Sequence, residues 1–285
     1  MNPDGPVLAL DIGGTKMAAA LVRHARIVWR DEVRTPAARA PGQVVAAAGA
    51  LVAGARLARP SRVGVAVTGR VVAGRSYPLN PATLPGWDGF DLGRAFAELT
   101  ALPTAVLNDA RAAAWGEHLY GSGRGVGEFM FVTVSTGIGG GLVLGGRLHL
   151  AANGLEAELG FTHTPFGPLE HVASGGALDR EAAARGWDGA EELARRAEGG
   201  EGGADAFYTR SAALLAAKLA DAAALLGVTR IALGGSVGLR RGYLERVRGA
   251  LEAFPGAVRP EVVHAVLGRD AGLLGVAAWT GGVAP

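Results

Sequence analysis

Two aspartates and two glycine turns carry the chemistry that this sequence could do. The first turn reads Asp11-Ile12-Gly13-Gly14-Thr15-Lys16 and follows the apolar run Val7-Leu8-Ala9-Leu10. The second reads Ser135-Thr136-Gly137-Ile138-Gly139-Gly140-Gly141 and follows the apolar stretch 129–134. Turns built of Gly and Thr bring backbone N–H groups close to phosphate oxygens with no Cβ in the way. Thr15 and Thr136 add hydroxyl donors. Asp11, at a strand end, suits a magnesium ion held directly or through water. Neither turn has the spacing of a P-loop or of a dinucleotide-binding turn, both of which open a helix; here a strand follows each one. A Gly-Gly pair also closes ordinary hairpins. Two such turns, each with Thr and one with a preceding Asp, point to a phosphorylated ligand.

Asn108-Asp109 stands where a strand gives way to a helix, at the edge of a sheet where α/β proteins bind ligands. Asp also caps helices well, and from position alone capping is the plainer reading of Asp109. Beside two phosphate turns, Asp109 becomes a candidate base for an acceptor hydroxyl in phosphoryl transfer. Glu158 and Glu170 flank the Pro- and Gly-bearing loop 161–169 and could accept hydrogen bonds from sugar hydroxyls, or be solvated surface acids. His163 and His171 beside Glu170 raise a metal reading, which the absence of cysteine and of an H-E-x-x-H pattern disfavours. Gly234-Gly235-Ser236 closes a strand and opens a helix. A nucleoside could lie on that backbone, or Ser236 could simply cap the helix. Trp87 and Trp115 read as packing residues.

The elements that must position these residues read as two similar halves. Strands over 7–10, 17–22 and 27–33 form a meander. A helix over 42–57, a strand over 63–67, a helix over 92–99, a strand over 104–107 and a helix over 110–119 follow. A second meander spans 129–135, 142–144 and 147–150. Helices come next at 174–185, 189–198 and 204–226, with 199–203 a loop between two of them. A strand over 231–233 then feeds a helix running through Leu251, and a strand over 262–266 and a helix over 271–279 end the series. The fold class is α/β, with two similar α/β domains flanking a catalytic cleft. The division is expected at 1–109, completed by a C-terminal helix in 270–285, and 110–269.

The chain has 285 residues, enough for two such domains with cores of their own. No apolar run is long enough to span a membrane, and no leader is evident at the start, so a cytoplasmic protein is expected. There are no cysteines, which excludes disulfides and thiolate metal sites. Net charge is +2 and Lys16 and Lys218 are the only lysines. The arginines are scattered without interleaved aromatics, which argues against a nucleic-acid surface.

Taken together, the motifs resemble the ROK family of sugar kinases and repressors, within the actin-like ATPase (ribonuclease H-like) fold. The resemblance rests on Asp11 to Lys16, Thr68-Gly69, Leu107-Asn108-Asp109-Ala110, Ser135 to Gly141, Glu158-Leu159-Gly160, Leu169-Glu170, Ala173-Ser174-Gly175 and Gly234-Gly235-Ser236. Leu79-Asn80-Pro81, the run Asn108 to Trp115 and Asp270 to Gly275 are most similar to the N-acetylmannosamine kinase branch of the family. The resemblance implies ATP-dependent phosphorylation of a sugar 6-hydroxyl, with Asp109 as the base and magnesium near Asp11. It implies phosphate contacts from Gly13, Gly14, Thr15, Lys16, Ser135, Thr136, Gly137, Ile138, Gly139 and Gly140, and adenosine contacts from Gly234, Gly235 and Ser236. It implies sugar contacts from Gly69, Asn80, Asn108, Asp109, Glu158 and Glu170, and a homodimer. A glucokinase or broad hexokinase is the same-class alternative. A sugar-sensing regulator is disfavoured because the first phosphate strand begins by Val7, and a binding-only relative because Asp11, Asp109 and both turns are retained.

One departure from the family is large. Members carry a His followed by a cysteine-rich zinc loop after the Glu-x-Gly motif; here Phe161 takes the His position and no cysteine exists. No zinc is expected. A compact apolar packing of Phe161, Pro165, Phe166 and Pro168 is expected in its place, with His163 as a substitute polar contact to the sugar.

Overall fold

The computed structural model describes residues 5–55, 58–79 and 85–282. The chain forms two compact units, one made of 1–120, 148–155 and 269–285, the other of 121–147 and 156–268.

In the first unit, strands β1 (Val7–Ile12), β2 (Lys16–Arg23) and β3 (Arg26–Arg34) form the expected meander, helix α1 spans Pro41–Ala55, and β4 is Arg62–Val67. Three short strands, β5 (Arg70–Val72), β6 (Arg75–Tyr77) and β7 (Phe90–Asp91), make a small sheet that no periodicity announced. Helix α2 (Leu92–Thr100), strand β8 (Thr104–Asn108) and helix α3 (Asp109–Tyr120) follow. The main sheet has the order β3-β2-β1-β4-β8. β1 pairs antiparallel with β2 and parallel with β4, which pairs parallel with β8. The inner strands are buried on both faces, as parallel pairing with helical cover requires: Leu8, Leu10 and Ile12 pack with Val63, Val65 and Val67. Trp87, fully buried there, donates its indole N–H to the Arg39 carbonyl at 2.7 Å.

The second unit repeats the plan. Strands β9 (Phe129–Val134), β10 (Ile138–Leu144) and β11 (Arg147–Leu148) are followed by the short strands β12 (His163–Thr164) and β13 (Gly167–Pro168). Helices α4 (Leu169–Ala173), α5 (Gly175–Ala184), α6 (Gly189–Glu198) and α7 (Gly202–Leu226) precede β14 (Arg230–Gly234). Helices α8 (Gly235–Gly238) and α9 (Tyr243–Leu251) and strand β15 (Glu261–His264) complete it. The sheet order is β11-β10-β9-β14-β15, which matches the first sheet position for position. This duplicated order agrees with the two similar α/β halves expected from the sequence.

Three expectations are corrected. The helix expected from Gly234 through Leu251 is broken, because Gly242 takes a φ of +78° and separates α8 from α9. Helix α7 begins at Gly202, so the glycine loop is shorter than 199–203. The division falls after Tyr120 rather than at 109/110, because α3 packs against the C-terminal helix Ala271–Gly281 within the first unit. That crossing is tight: a Cβ on Gly275 would stand 1.7 Å from the Ala112 carbonyl oxygen, and one on Gly116 would stand 2.3 Å from that of Ala271.

Candidate functional site

In the first unit the chemistry gathers at the carboxyl ends of β1, β4 and β8. The register aligns Ile12 with Val67 and Val67 with Asn108, so Asp11, Gly69, Asn108 and Asp109 share one edge of the sheet. Asn108 is buried and holds that edge together. Its Nδ2 donates to the Gly69 carbonyl at 2.9 Å, and its Oδ1 accepts the Arg111 N–H at 3.1 Å. The second bond is a helix cap three residues on. The capping task that position alone gave to Asp109 therefore belongs to Asn108. Asp109 is the first residue of α3, and its Oδ1 accepts the neighbouring Ala110 N–H at 2.8 Å. Gly69 has a φ of +91°, and a Cβ there would stand 2.9 Å from the Tyr77 carbonyl oxygen.

Burial pushes the Asp109 carboxyl up from the usual range. Burial also raises Asp11, with the nearby Asp109 adding to it, to about 7, against the opposing pull of Lys16 and Arg30. No donor among the described residues bonds the Asp11 carboxylate. That is the condition in which a hard divalent cation fits. Among the described residues no group of three or more His, Cys, Asp or Glu could hold a metal ion, so such a cation would draw most of its ligands from water and phosphate.

The first glycine turn is a hairpin whose inner donor is already used: the Gly13 N–H bonds the Lys16 carbonyl at 3.1 Å. The N–H groups of Gly14 and Thr15 have no acceptor among the described residues. Thr35, at the end of β3, fixes the turn from outside. Its hydroxyl donates to the Gly13 carbonyl at 2.6 Å, and its N–H donates to the Thr15 carbonyl at 3.0 Å. Lys16 is exposed and pairs with Glu32 at 3.5 Å. The sequence reading missed Thr35, because a threonine after a strand carries no signal of a partner so far back in the chain.

The second unit builds its turn the same way. The Ser135 N–H bonds the Gly137 carbonyl at 2.9 Å. Helix α5 grips the turn by its first residues, with the Gly175 N–H on the Ser135 carbonyl at 2.6 Å and the Gly176 N–H on that of Thr136 at 3.0 Å. The N–H groups of Thr136 and Gly137 have no acceptor among the described residues, which mirrors Gly14 and Thr15. Ile138, expected to face phosphate, does not offer its N–H: that donor bonds Glu170 Oε2 at 2.8 Å, and the side chain is buried. Gly139 and Gly140 lie within β10, paired with Thr133 and Val132. A Cβ on Gly140 would stand 2.6 Å from the Ala157 carbonyl oxygen, so this glycine admits the neighbouring chain.

Glu158 stands half-buried before the 3-10 turn Leu159–Phe161. The loop beyond is not an apolar cluster. Phe161 is 51% exposed and Phe166 66% exposed, and His163 is exposed on β12. Hydrogen bonds order the loop instead: the Thr162 hydroxyl donates to the Leu159 carbonyl at 2.6 Å, and the Thr164 hydroxyl to that of Gly167 at 2.8 Å. Buried Leu159 and Leu169 anchor its two ends. Gly235, at a φ of +84°, lies so close to β9 that a Cβ would stand 2.4 Å from the Val134 carbonyl oxygen. Gly234 ends β14, and Ser236 is exposed and makes no side-chain cap on α8. Asn80 lies outside the described residues.

The chain matches the profile of the ROK family over residues 7–282. It is 41% identical over 281 residues to the bifunctional enzyme NanE/NanK of Brucella melitensis, covering 97% of this chain and 54% of that one. The chain thus spans about half the length of the bifunctional relatives it matches. It is 41% identical over 289 residues to the N-acetylmannosamine kinase of Yersinia pseudotuberculosis, covering 96% of this chain and 98% of that one. A ROK family glucokinase from Streptomyces griseus, solved in complex with glucose and AMPPNP, superposes with a TM-score of 0.81 at 30% identity, covering 97% of this chain and 99% of that one.

Proposed function

This chain belongs to the ROK family, and from that premise we propose that it transfers the γ-phosphoryl group of ATP to the 6-hydroxyl of N-acetylmannosamine. The reading is carried by one observation: Asn108 caps α3, which leaves the Asp109 carboxylate at the sheet edge free of that task and beside Asp11. Asp109 accepts the proton of the 6-hydroxyl as that oxygen bonds to the γ-phosphorus. The bond from phosphorus to the bridging oxygen breaks, and ADP leaves with its electron pair. A carboxylate raised above its ordinary range by burial is closer to the pKa such a base needs.

Within the first unit, the N–H groups of Gly14 and Thr15, which meet no acceptor among the described residues, and the Thr15 hydroxyl are the donors for phosphate oxygens. Within the second unit, the N–H groups of Thr136 and Gly137 and the Thr136 hydroxyl take the same role. Asp11 would hold magnesium, which when bound neutralises charge on the transferring phosphate. The turn Gly234-Gly235-Ser236, where β14 ends, is assigned to the nucleoside. Glu158 and Glu170 accept from sugar hydroxyls, with Gly69 and Asn108 shaping the acceptor's surroundings. His163 is the exposed polar group of the loop that stands in for the family's zinc loop. The relatives named N-acetylmannosamine kinase support that sugar as first choice, and the glucokinase neighbour makes glucose its competitor. Coupled ADP release with magnesium and ATP, on N-acetylmannosamine, N-acetylglucosamine, glucose and mannose, tests the assignment. The highest kcat/KM is expected on N-acetylmannosamine; preference for glucose would reassign the substrate.

A further inference from the structure

We propose that Glu170 couples occupancy of the sugar to the geometry of the second phosphate turn, an inference that rests on the sugar-kinase reading above. Glu170 lies in the first turn of α4, where a carboxylate ordinarily faces the helix's own free N–H groups. Its Oε2 instead accepts the N–H of Ile138, 32 residues earlier in the chain. The seat is shaped for it. A Cβ on Gly137 would stand 2.5 Å from Oε2, and one on Gly160 would stand 2.4 Å from the Ile138 carbonyl oxygen and 3.3 Å from Glu170 Cβ. Glycine at both positions is what lets this carboxylate reach the turn.

The turn is therefore held by two segments of different character. Helix α5 holds its carbonyls through backbone donors alone, which no ligand side chain contact alters. Glu170 holds its N–H through a side chain whose other oxygen, Oε1, has no donor among the described residues. A sugar hydroxyl donating to Oε1 fixes the carboxylate's torsion, and with it the Oε2 bond to Ile138. That bond keeps the adjoining N–H groups of Thr136 and Gly137 facing outward as phosphate donors. Linkage is reciprocal, so a nucleotide that orders the turn also orders the sugar's acceptor. The turn is completed when the acceptor sugar is present, which disfavours transfer to water.

The test measures AMPPNP affinity with magnesium, with and without saturating N-acetylmannosamine, in the wild type, Glu170→Ala, Glu170→Gln and Glu158→Ala. Amide hydrogen exchange over residues 135–138 is followed in the same proteins without ligand. In the wild type the sugar should tighten AMPPNP on the order of tenfold. Glu170→Ala should erase that effect and speed exchange at Ile138. Glu170→Gln, whose amide oxygen still accepts from Ile138, should keep slow exchange, and Glu158→Ala should weaken the sugar without touching it. If Glu170→Ala does not fold, Glu170→Met, which fills similar space without a carboxylate, reads the same two quantities. An Ala variant that keeps both the sugar effect and slow exchange overturns the proposal, as does a wild type whose AMPPNP affinity ignores the sugar. A wild type that binds no AMPPNP overturns the kinase reading beneath it.

Discussion

Replacing Asp11 by Asn should stabilise the ligand-free protein, and more so as the pH rises. The folded chain holds this carboxyl at about 7, against 3.8 for the free group, chiefly because burial penalises its charge. Below the unfolded value both states are protonated, and the variant and the wild type differ little. As pH rises the unfolded chain ionises first, so the wild type loses stability steadily until the folded carboxyl ionises near 7. The full penalty approaches about 4 kcal/mol, and about 2 kcal/mol of it accrues between pH ~5.5 and pH ~8. The amide keeps the shape and the missing hydrogen-bond partner of the protonated acid, so the change with pH isolates the charge. Thermal melts of both proteins without ligand should show the variant's advantage widening by roughly 4–8 °C across that interval. Magnesium with AMPPNP should close the gap by stabilising the wild type alone. A variant that melts below the wild type by the same margin at both pH values would refute the reasoning.

Thr35→Ala removes the hydroxyl that holds Gly13 at 2.6 Å, so the KM for ATP should rise on the order of tenfold with little change in the sugar KM. Thr35→Ser should restore it in the same kinetic assay. Asn108→Ala removes the α3 cap and the tether on Gly69 together, and urea titration should show a loss of about 1–2 kcal/mol. Gly275→Ala drives a methyl group into the Ala112 carbonyl and pushes α3 off the C-terminal helix, so its urea midpoint should report a loss of about 3 kcal/mol or more.

Both meanders, the two glycine turns and the strand end at Asn108 were legible from the sequence, because apolar alternation and Gly punctuation are local signals. What stayed hidden depends on partners far along the chain. Gly13 meets Thr35, Ile138 meets Glu170, and the tight crossing of α3 with the C-terminal helix joins Gly116 to Ala271. No periodicity reports which N–H of a turn is already spent, so Ile138 read as a phosphate donor. Likewise Asn and Asp are both good caps, and only the bond from Arg111 to Asn108 tells them apart. The loop 161–169 read as an apolar cluster from its composition, yet Thr162 and Thr164 order it by hydrogen bonds while Phe161 and Phe166 face solvent. The break at Gly242 was missed because a single glycine is tolerated within a helix unless its φ is positive.

The most direct test of the central claim compares the wild type with Asp109→Asn on N-acetylmannosamine with magnesium and ATP, following ADP release and identifying the product by phosphorus NMR. The account predicts a 6-phosphate from the wild type, a kcat lower by about 10²-fold or more in the variant, and nearly equal AMPPNP affinity in the two. A variant that turns over at the wild-type rate, or a wild type that forms no 6-phosphate of N-acetylmannosamine, would contradict it.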